Sequence, residues 1–315
     1  MSGVSEKRIL VVHYSQTGQL SDIARSFAKP FEVAKVQVDW MEIHPKQAFK
    51  FPWSAARFFD AFPESVDRIP CEIEPLDLDP DAKYDLIVLA YQVWYMNISI
   101  PINSFLKSPG VDQLFKDTPV VTLVGCRNMW VMAQEDIKQR LAGFGSKLVG
   151  HVAFIDKTNN LVGLITVLGW MLAGKKKKMF GFLPDSGVSD EDIAGASVFG
   201  SQILDYLVRD SWEGSYEELL ASGSHFISAS LLLLEKRGSK IFKIWSRFIA
   251  GGSGQAPGHP ARLNRARVLT FVLPLGAFIL GPIMAIISKV RILFSKKELD
   301  LEIERYLASA PAGES

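Results

Sequence analysis

The sequence predicts a doubly wound α/β fold, because short apolar runs typical of buried strands alternate with segments of helical spacing. Continuous apolar runs of this length are characteristic of parallel strands that are covered on both faces. Three runs are clear and two are weaker: residues 8–13, 84–90 and 118–124, then 34–43 and 146–155. Helical spacing lies between them, in residues 20–29, 101–107 and 132–143. We therefore expect a five-stranded parallel sheet that binds its ligand beyond the carboxyl ends of the strands.

The length of the chain predicts one full domain and an appended segment. A chain of 315 residues that is 48% hydrophobic can bury one large core and still have sequence left over. We assign residues 1–210 to the α/β domain, which ends in a helix over 189–208, and residues 211–315 to a helical extension. Two insertions interrupt the domain, an aromatic-rich one at 44–70 and an apolar, then basic one at 157–188. The aromatic insertion is expected to pack on the edge of the ligand site or to form a small separate core.

Charge and cysteine content argue against several classes of protein. The formal net charge of +1 argues against a general nucleic-acid binder. Two cysteines, Cys71 and Cys126, and the lack of an apolar leader argue against a disulfide framework and favour a cytoplasmic domain. The histidines show no metal-ligand spacing, so we predict no metal site.

The stretch VVHYSQTGQL, residues 11–20, ends a strand and begins a helix, and it has the residue types of an anion-binding loop. Unpaired N–H groups and the helix dipole favour an anion at such a point. Ser15 and Thr17 add hydroxyl donors, and Gly18 allows the backbone to approach closely. Because no lysine follows Gly18, a monophosphate fits better than a nucleoside triphosphate. For this stretch alone, an ordinary turn with a hydroxyl cap is an equally good interpretation.

Two further strand ends carry aromatic residues at the same predicted edge of the sheet. They are AYQVWYMNISIP, residues 90–101, and GCRNMW, residues 125–130. Any one of their aromatic residues can be hydrophobic filler. Together, however, Trp94, Tyr95 and Trp130 can flank a flat cofactor whose phosphate binds to the first loop.

With these three loops the chain resembles the flavodoxin-like family over about residues 7–210. That family binds FMN on a sheet of strand order 2-1-3-4-5, so the resemblance implies a flavodoxin-like fold and FMN as the cofactor. It implies a phosphate site in the first loop, where Gln19 replaces the second hydroxyl residue that small electron carriers usually have. It also implies that the other two loops border the isoalloxazine ring. The residues implied to hold FMN are Ser15, Gln16, Thr17, Gly18, Gln19, Leu20, Gln92, Val93, Trp94, Tyr95, Gly125, Cys126, Arg127, Asn128 and Trp130.

More specifically, the chain resembles the dialkylresorcinol condensing enzymes, flavodoxin-like proteins encoded beside ketosynthases. YSQTGQL, EIHPKQAFKFPW, FFDAFPE, YQVWYMNISIP and the long tail carry this resemblance. Neither cysteine has the surroundings of an acyl-binding thiol, so the resemblance implies the oxidative step instead. In that step FMN dehydrogenates a lipidic dialkylcyclohexane-1,3-dione to a dialkylresorcinol, and a ketosynthase is the expected partner enzyme. Four residues in or next to the flavin loops are candidates to hold an enolate oxygen in catalysis: Tyr91, Tyr95, Arg127 and Asn128.

Two other classes of function remain open. The chain can be an FMN electron carrier or an NAD(P)H-quinone reductase that serves membrane redox partners. It can also be a cofactor-free scaffold that recruits other enzymes to a membrane. Flavin content separates the scaffold from the rest, and a substrate test separates the other two. No general base is assigned, because His13 fits a core histidine and His44 a solvated one.

The last third of the chain predicts membrane association. Residues 236–297 contain many Lys and Arg but no Asp or Glu. Within them, residues 268–288 are uncharged and about long enough to cross a bilayer of roughly 30 Å. Flanking positive charge and two prolines, Pro274 and Pro282, favour a re-entrant or in-plane hairpin over a straight span, and a buried core helix is the alternative. The amphipathic stretch 240–249 supports a monotopic or peripheral protein on anionic lipid, at the cytoplasmic side of the inner (cytoplasmic) membrane.

Overall fold

The computed structural model describes residues 6–78, 82–158, 160–177, 181–252 and 254–312. At its centre five parallel strands form one sheet, and a two-residue antiparallel strand is added at one end. The strands are β1 (Arg8–His13), β2 (Gln37–Glu42), β3 (Leu86–Trp94), β4 (Asn97–Ile98), β5 (Pro119–Cys126) and β6 (Lys147–Ile155). All five predicted strands are confirmed. β3 is longer than expected and continues to Trp94, because its last residues pair with β4.

Helices cover both faces of the sheet and continue beyond it. The helices are α1 (Gln19–Val33), α2 (Ala55–Asp60), α3 (Phe62–Val66), α4 (Ile100–Phe105), α5 (Val111–Phe115), α6 (Val131–Gly143), α7 (Asn160–Ala173), α8 (Asp190–Arg209), α9 (Ser215–Ala221), α10 (Ala229–Ala250), α11 (Pro260–Phe294) and α12 (Lys296–Leu307). The four helices predicted for the α/β domain are confirmed as α1, α4, α6 and α8.

The order of the strands in the sheet is β2-β1-β3-β5-β6, with β4 beside β3. Counting the five parallel strands in chain order, this is 2-1-3-4-5, and the fold is flavodoxin-like. One core lies between the sheet and α1 with α8, and the other lies between the sheet and α4, α5 and α6. The carboxyl ends of β1, β3 and β5 therefore meet at one edge, as the sequence predicts.

The first helices of the extension pack into the cores of the α/β domain. The Ser215 hydroxyl donates to the Val149 carbonyl at 2.8 Å, which joins α9 to β6. Tyr216, Leu219 and Leu232 are buried in the two cores. The boundary at residue 210 stays a prediction, but the first helices beyond it complete the packing of the sheet.

The later helices of the extension pack on the aromatic insertion. The Phe242 ring of α10 lies 4.9 Å from the Phe62 ring of α3. Arg262 of α11 makes ion pairs with Asp60 and Glu64 of the insertion. We call α2, α3, α10 and the first half of α11 the helical cap.

The predicted hairpin at residues 268–288 is wrong. α11 is one continuous helix from Pro260 to Phe294, and it passes through Pro274 and Pro282 without ending. A proline removes one helical hydrogen bond, and the turns on either side can keep theirs. Among the residues that the structure describes, no helix has both the length and the apolar character that crossing a membrane requires.

Candidate functional site

The loop between β1 and α1 has the geometry of an anion site. Gly18, at φ 83°, is the N-cap of α1. Ser15 Oγ accepts a backbone N–H from the first turn of α1 at 3.1 Å, which leaves its own hydrogen to be donated. The N–H groups of Thr17, Gly18 and Gln19 donate to no residue within the described part of the chain. These donors, with the Thr17 hydroxyl, fit a phosphate.

The side chain of Gln19 does not replace a phosphate-binding hydroxyl, which corrects the prediction. Its amide nitrogen donates to the Val188 carbonyl at 2.9 Å, and the Val188 N–H donates to its Oε1 at 3.0 Å. Both ends of the amide are therefore used, and only the backbone N–H of Gln19 is left for a phosphate. A Cβ on Gly187 would lie 2.7 Å from Gln19 Oε1 and 2.6 Å from Trp170 Cζ3. This Gln19–Val188 clamp ties the loop 15–19 to the end of the second insertion.

Gln16 connects the loop 15–19 to the loop after β3. Its backbone N–H donates to Gln92 Oε1 at 3.1 Å. Its side-chain amide donates to the Phe49 carbonyl at 2.5 Å and accepts a hydrogen bond from the Tyr14 hydroxyl. The side chain of Gln16 thus holds the aromatic insertion against the loop, and its predicted contact with FMN stays a prediction.

The loop after β3 is a tight hairpin in a strained backbone conformation. Val93 and Trp94 of β3 pair with the two residues of β4. The two residues at the turn, Tyr95 at φ 49° and Met96 at φ 66°, are both left-handed. Residues other than Gly, Asn or Asp rarely adopt this backbone conformation, so contacts with neighbouring elements must stabilise it. Met96 supplies one such contact, because its Cε would lie 2.5 Å from a Cβ on Gly238 of α10.

The aromatic insertion packs against this hairpin, as expected. The Trp94 ring lies 5.1 Å from the Phe49 ring and 5.6 Å from the Trp53 ring. Tyr14, at the end of β1, contacts the same indole at 5.9 Å. Trp94 is half-buried, so its exposed part remains available as one wall of a flavin site.

Three of the predicted site residues are turned away from the site. Tyr91 is 0% exposed and donates its hydroxyl to Gln134 Oε1 at 2.8 Å, inside the core. Trp130 is 2% exposed and packs on the ring of His151 at 4.8 Å. Tyr95 donates its hydroxyl to the Phe58 carbonyl of the insertion. The roles predicted for these three side chains, in catalysis and beside the flavin, are therefore wrong.

The loop after β5 packs closely on α1 and carries one cation. A Cβ on Gly125 would lie 3.2 Å from Leu20 Cδ1, so α1 packs closely on this strand end. Burial raises the pKa of the Cys126 thiol, and it is therefore protonated at neutral pH. The Arg127 guanidinium lies against α7, where Nη2 would be 2.8 Å from a Cβ on Gly163. Burial lowers the pKa of Arg127, while Asp156 favours the charged form.

Helices from both insertions and from the extension cover this edge of the sheet. On one side, the Trp53 N–H donates to the Met171 carbonyl of α7 at 2.8 Å, and Phe51 contacts Trp170 at 6.5 Å. On the other side, α10 lies over the hairpin through Gly238. The loops predicted to border FMN are therefore covered by neighbouring helices, and one of these helices, α10, lies beyond residue 210.

The structure also adds a residue that the sequence analysis missed. Glu235 of α10 is 1% exposed and accepts the N–H groups of Met132 at 2.8 Å and Val131 at 3.3 Å. Burial raises its pKa to about 7. It lines a cleft that Asn128, one of the predicted catalytic residues, also lines. The signal in the sequence is an acidic residue directly after the apolar run LLLL, residues 231–234.

The histidines fall into a core and a surface group. His13 is buried, and burial lowers its pKa, while His44 is exposed. His151 and His225 are buried together, with ring centroids 4.7 Å apart. Among the described residues, no group of three or more His, Cys, Asp and Glu side chains is arranged to hold a metal ion.

Comparison with known proteins finds similarity at the level of structure. No family model matches the chain, and no curated protein matches it. A flavoprotein in complex with FMN from Lactobacillus acidophilus is 17% identical and has a TM-score of 0.38, over 47% of this chain and 93% of its own. A flavodoxin from the domain Archaea is 13% identical with a TM-score of 0.36, over 64% of this chain and 98% of its own. A flavone reductase is 12% identical with a TM-score of 0.37, over 67% of this chain and 65% of its own. The assignment of the fold rests on the order and direction of the strands.

Proposed function

We propose that this protein is an FMN-dependent oxidoreductase that works at an anionic membrane surface and oxidises a lipidic dialkylcyclohexane-1,3-dione to a dialkylresorcinol. The observation that carries the proposal is the set of open donors in the loop 15–19, at the carboxyl edge of a sheet with flavodoxin-like strand order. FMN bound there would supply a two-electron acceptor. Ser15, Thr17 and the neighbouring N–H groups would hold its phosphate. Residues 92–94 and 125–128 would border its ring.

Arg127 and Asn128 are the predicted catalytic residues that this arrangement still favours. Arg127 Nη1 donates to Asn128 Oδ1 at 3.4 Å, so the two side chains act together. Arginine stays charged even where burial lowers its pKa. A cation at this loop would stabilise the negative charge of an enolate oxygen and orient the ring of the substrate.

An exposed apolar face on the extension supports a lipidic substrate. α11 presents a stripe of side chains at helical spacing that extends about 39 Å from residue 268 to residue 294. Phe271 is 75% exposed and Phe294 is 86% exposed. Apolar patches of this extent mark contact with a membrane or another protein. The stripe consists of Val268, Phe271, Leu275, Phe278, Ile279, Ile283, Ile286, Ile287, Val290, Leu293 and Phe294.

Basic residues around the stripe favour an anionic lipid surface as its partner. α10 runs beside α11 and adds exposed apolar side chains of its own at Ile241, Ile244 and Phe248. Because acidic residues are absent from 236–297, the positive charge there is not neutralised within the segment. The exposed basic residues are Lys240, Lys243, Arg247, Arg267, Lys289, Arg291, Lys296 and Lys297. We expect this face to lie on the cytoplasmic side of the inner (cytoplasmic) membrane, near a ketosynthase that supplies the substrate.

Two measurements on the purified full-length protein test the FMN and substrate parts. FMN titrated into the protein should lose its fluorescence with a 1:1 end point. Under anaerobic conditions a 2,5-dialkylcyclohexane-1,3-dione should bleach the bound flavin and yield the resorcinol. If NAD(P)H bleaches the flavin and the dione does not, the protein is a quinone reductase or an electron carrier. If FMN does not bind, it is a scaffold.

Vesicle sedimentation tests the membrane part. The protein should sediment with phosphatidylcholine vesicles that contain phosphatidylglycerol, and less with phosphatidylcholine alone. Phe271→Glu combined with Phe278→Glu should reduce this binding tenfold or more, because each phenylalanine contributes about 1.5–3 kcal/mol when buried. Val198→Glu, an exposed position on α8, is the matched control. Unchanged binding by the double variant, or a dimer that buries the stripe, would contradict the proposal.

A further inference from the structure

The turn between β3 and β4 carries residues that its backbone conformation does not favour. Trp94 pairs with Asn97, so a loop of two residues, Tyr95 and Met96, joins the two strands. Both loop residues have a positive φ, which is the pattern of a type I′ turn and normally selects Asn or Gly. Large side chains at these two positions indicate that the side chains themselves have a role, because the backbone alone disfavours them.

Each side chain of the turn is anchored by a different part of the helical cap. The Tyr95 hydroxyl donates to the Phe58 carbonyl of α2. The Met96 thioether enters a notch on α10, where Gly238 has no side chain and an added Cβ would lie 3.0 Å from the sulfur. The Ser239 hydroxyl donates to the same sulfur at 3.8 Å. Two elements that are distant in sequence therefore stabilise a turn that is unfavourable on its own.

The residue directly before this turn is Trp94, the proposed wall of the flavin site. Its carbonyl accepts the Ser65 hydroxyl of α3 at 2.7 Å, and its indole packs on the rings of Phe49 and Trp53. Because Trp94 is the last residue of β3, a shift of the turn would tilt the indole relative to the sheet. An aromatic wall contributes to binding only while neighbouring residues fix its orientation. The anchors of the turn therefore bear on the flavin through Trp94.

We propose that Met96 and Gly238 form a positioning contact, through which the extension holds Trp94 in the orientation that stacks on the flavin ring. The proposal rests on the proposed function. Gly238 lies beyond residue 210, so the extension completes a flavin site whose loops belong to the α/β domain. The next turn of α10 presents Ile241 and Ile244, which are 45% and 67% exposed. One helix thus carries both the anchor of the flavin wall and part of the proposed membrane face.

Met96→Asn separates the contact from the strain of the turn. Asparagine suits a left-handed turn, so relief of backbone strain should offset the lost packing, and the melting temperature should change little. The FMN affinity should nevertheless fall about threefold to tenfold, the range that an oriented aromatic contact contributes. The visible circular dichroism of the bound flavin should change as well, because it reports the asymmetry of the ring's surroundings.

Gly238→Leu tests the same contact from the side of α10. The leucine fills the notch and should displace the Met96 thioether, so the FMN affinity should again fall. Combining it with Met96→Ala should recover part of that loss, since the leucine then occupies the space of the thioether. Gly195→Leu on α8 is the matched control, because a Cβ there meets no atom within 4 Å. It should leave both the affinity and the circular dichroism of the flavin unchanged.

A double-mutant cycle shows whether the contact acts through Trp94. In a Trp94→Ala background, Met96→Asn should cause no further loss of FMN affinity, because the side chain that it positions is gone. An equal loss with and without the indole would overturn the positioning role. So would a loss of affinity by Met96→Asn that only follows a fall in melting temperature.

The outcomes separate this inference from the proposed function. If the wild type binds FMN, and Met96→Asn changes neither the affinity nor the circular dichroism of the flavin, the function stands and the positioning role is overturned. If Gly238→Leu does not fold, Met96→Asn and its cycle with Trp94→Ala decide the question. If the wild type does not bind FMN, both the cofactor assignment and the role of this contact are overturned.

Discussion

Replacing Arg262 with methionine should strongly destabilise the protein, because this guanidinium neutralises two carboxylates inside the helical cap. Arg262 is 1% exposed. Its Nε lies 2.7 Å from Asp60 Oδ1 in an ion pair. Its Nη1 donates to Glu64 Oε1 at 2.8 Å and to the Gln255 carbonyl at 2.9 Å. Its Nη2 donates to the Asp60 carbonyl and to Glu64.

The expected loss follows from what the methionine would leave behind. Methionine fills much of the same volume, so the main cost is two carboxylates, one buried and one half-buried, without a counter-charge. Removing one partner of a buried ion pair costs about 3–5 kcal/mol. Domains of this size are stable by about 5–15 kcal/mol, so the free energy of unfolding should fall by a large fraction.

Urea unfolding at pH 7, followed by circular dichroism, measures this loss. Arg267→Met is the matched control, since Arg267 is exposed on the same helix and donates to Asn264 at 2.8 Å. It should change the free energy of unfolding by no more than about 0.5 kcal/mol. Adding Asp60→Asn and Glu64→Gln to Arg262→Met should restore part of the lost stability, because the uncompensated charges are removed.

Two results would refute this reasoning. A loss of less than about 1 kcal/mol for Arg262→Met would mean that water reaches the two carboxylates once the arginine is gone. A triple variant no more stable than the single one would mean that packing or hydrogen bonding, rather than charge, accounts for the effect.

Three further predictions concern the loop 15–19, the Gln19–Val188 clamp and the buried His225. Thr17→Ala should weaken FMN binding tenfold or more in a fluorescence titration, because a hydrogen bond to a charged group contributes about 1.5–3 kcal/mol; an unchanged affinity would remove Thr17 from the phosphate site. Gly187→Ala should lower both the melting temperature and the FMN affinity more than Gly181→Ala does. Both glycines have a positive φ, but only an added Cβ on Gly187 would clash, at 2.6 Å from the Trp170 ring. Equal effects of the two substitutions would show that backbone strain alone matters. Burial lowers the pKa of His225 to about 4, so the folded protein binds fewer protons than the unfolded chain between pH 4 and 6.5, and stability should fall by about 3 kcal/mol as the pH drops through that range; His225→Asn should flatten this part of the stability profile.

The strands and helices of the α/β domain could be predicted because their signals are local. A parallel strand covered on both faces needs apolar residues at consecutive positions, and residues 8–13 and 118–124 carry them without reference to any partner. The strand order came from the resemblance of the loops, and the pairing of the strands agrees with it. The hairpin predicted at 268–288 was wrong because prolines indicate only where a helix can bend. Whether it bends depends on its tertiary contacts, and α11 stays one continuous helix.

The candidate site was predictable only in part, because a position near a strand end does not determine the direction of a side chain. Tyr91 was assigned to a loop, but β3 continues to Trp94, so Tyr91 lies within the pleated strand and points into the core. Tyr95 does lie in the turn, yet the insertion takes its hydroxyl. In each case the tyrosine hydroxyl donates its hydrogen bond to an element distant in sequence, and the motif alone does not reveal this partner.

The sequence by itself determined the sheet, the strand-to-helix loop 15–19 and the apolar, basic character of the tail, because each depends on residues close together in the chain. Only the tertiary structure decided how these parts meet. It joined Gln19 to Val188, Arg262 to Asp60, and Glu235 to the start of α6 beside Asn128. These partners are separated by more than 100 residues, and no local pattern specifies them. They form because burying a polar group costs free energy unless a partner is in reach, and packing of the whole chain determines which partner that is.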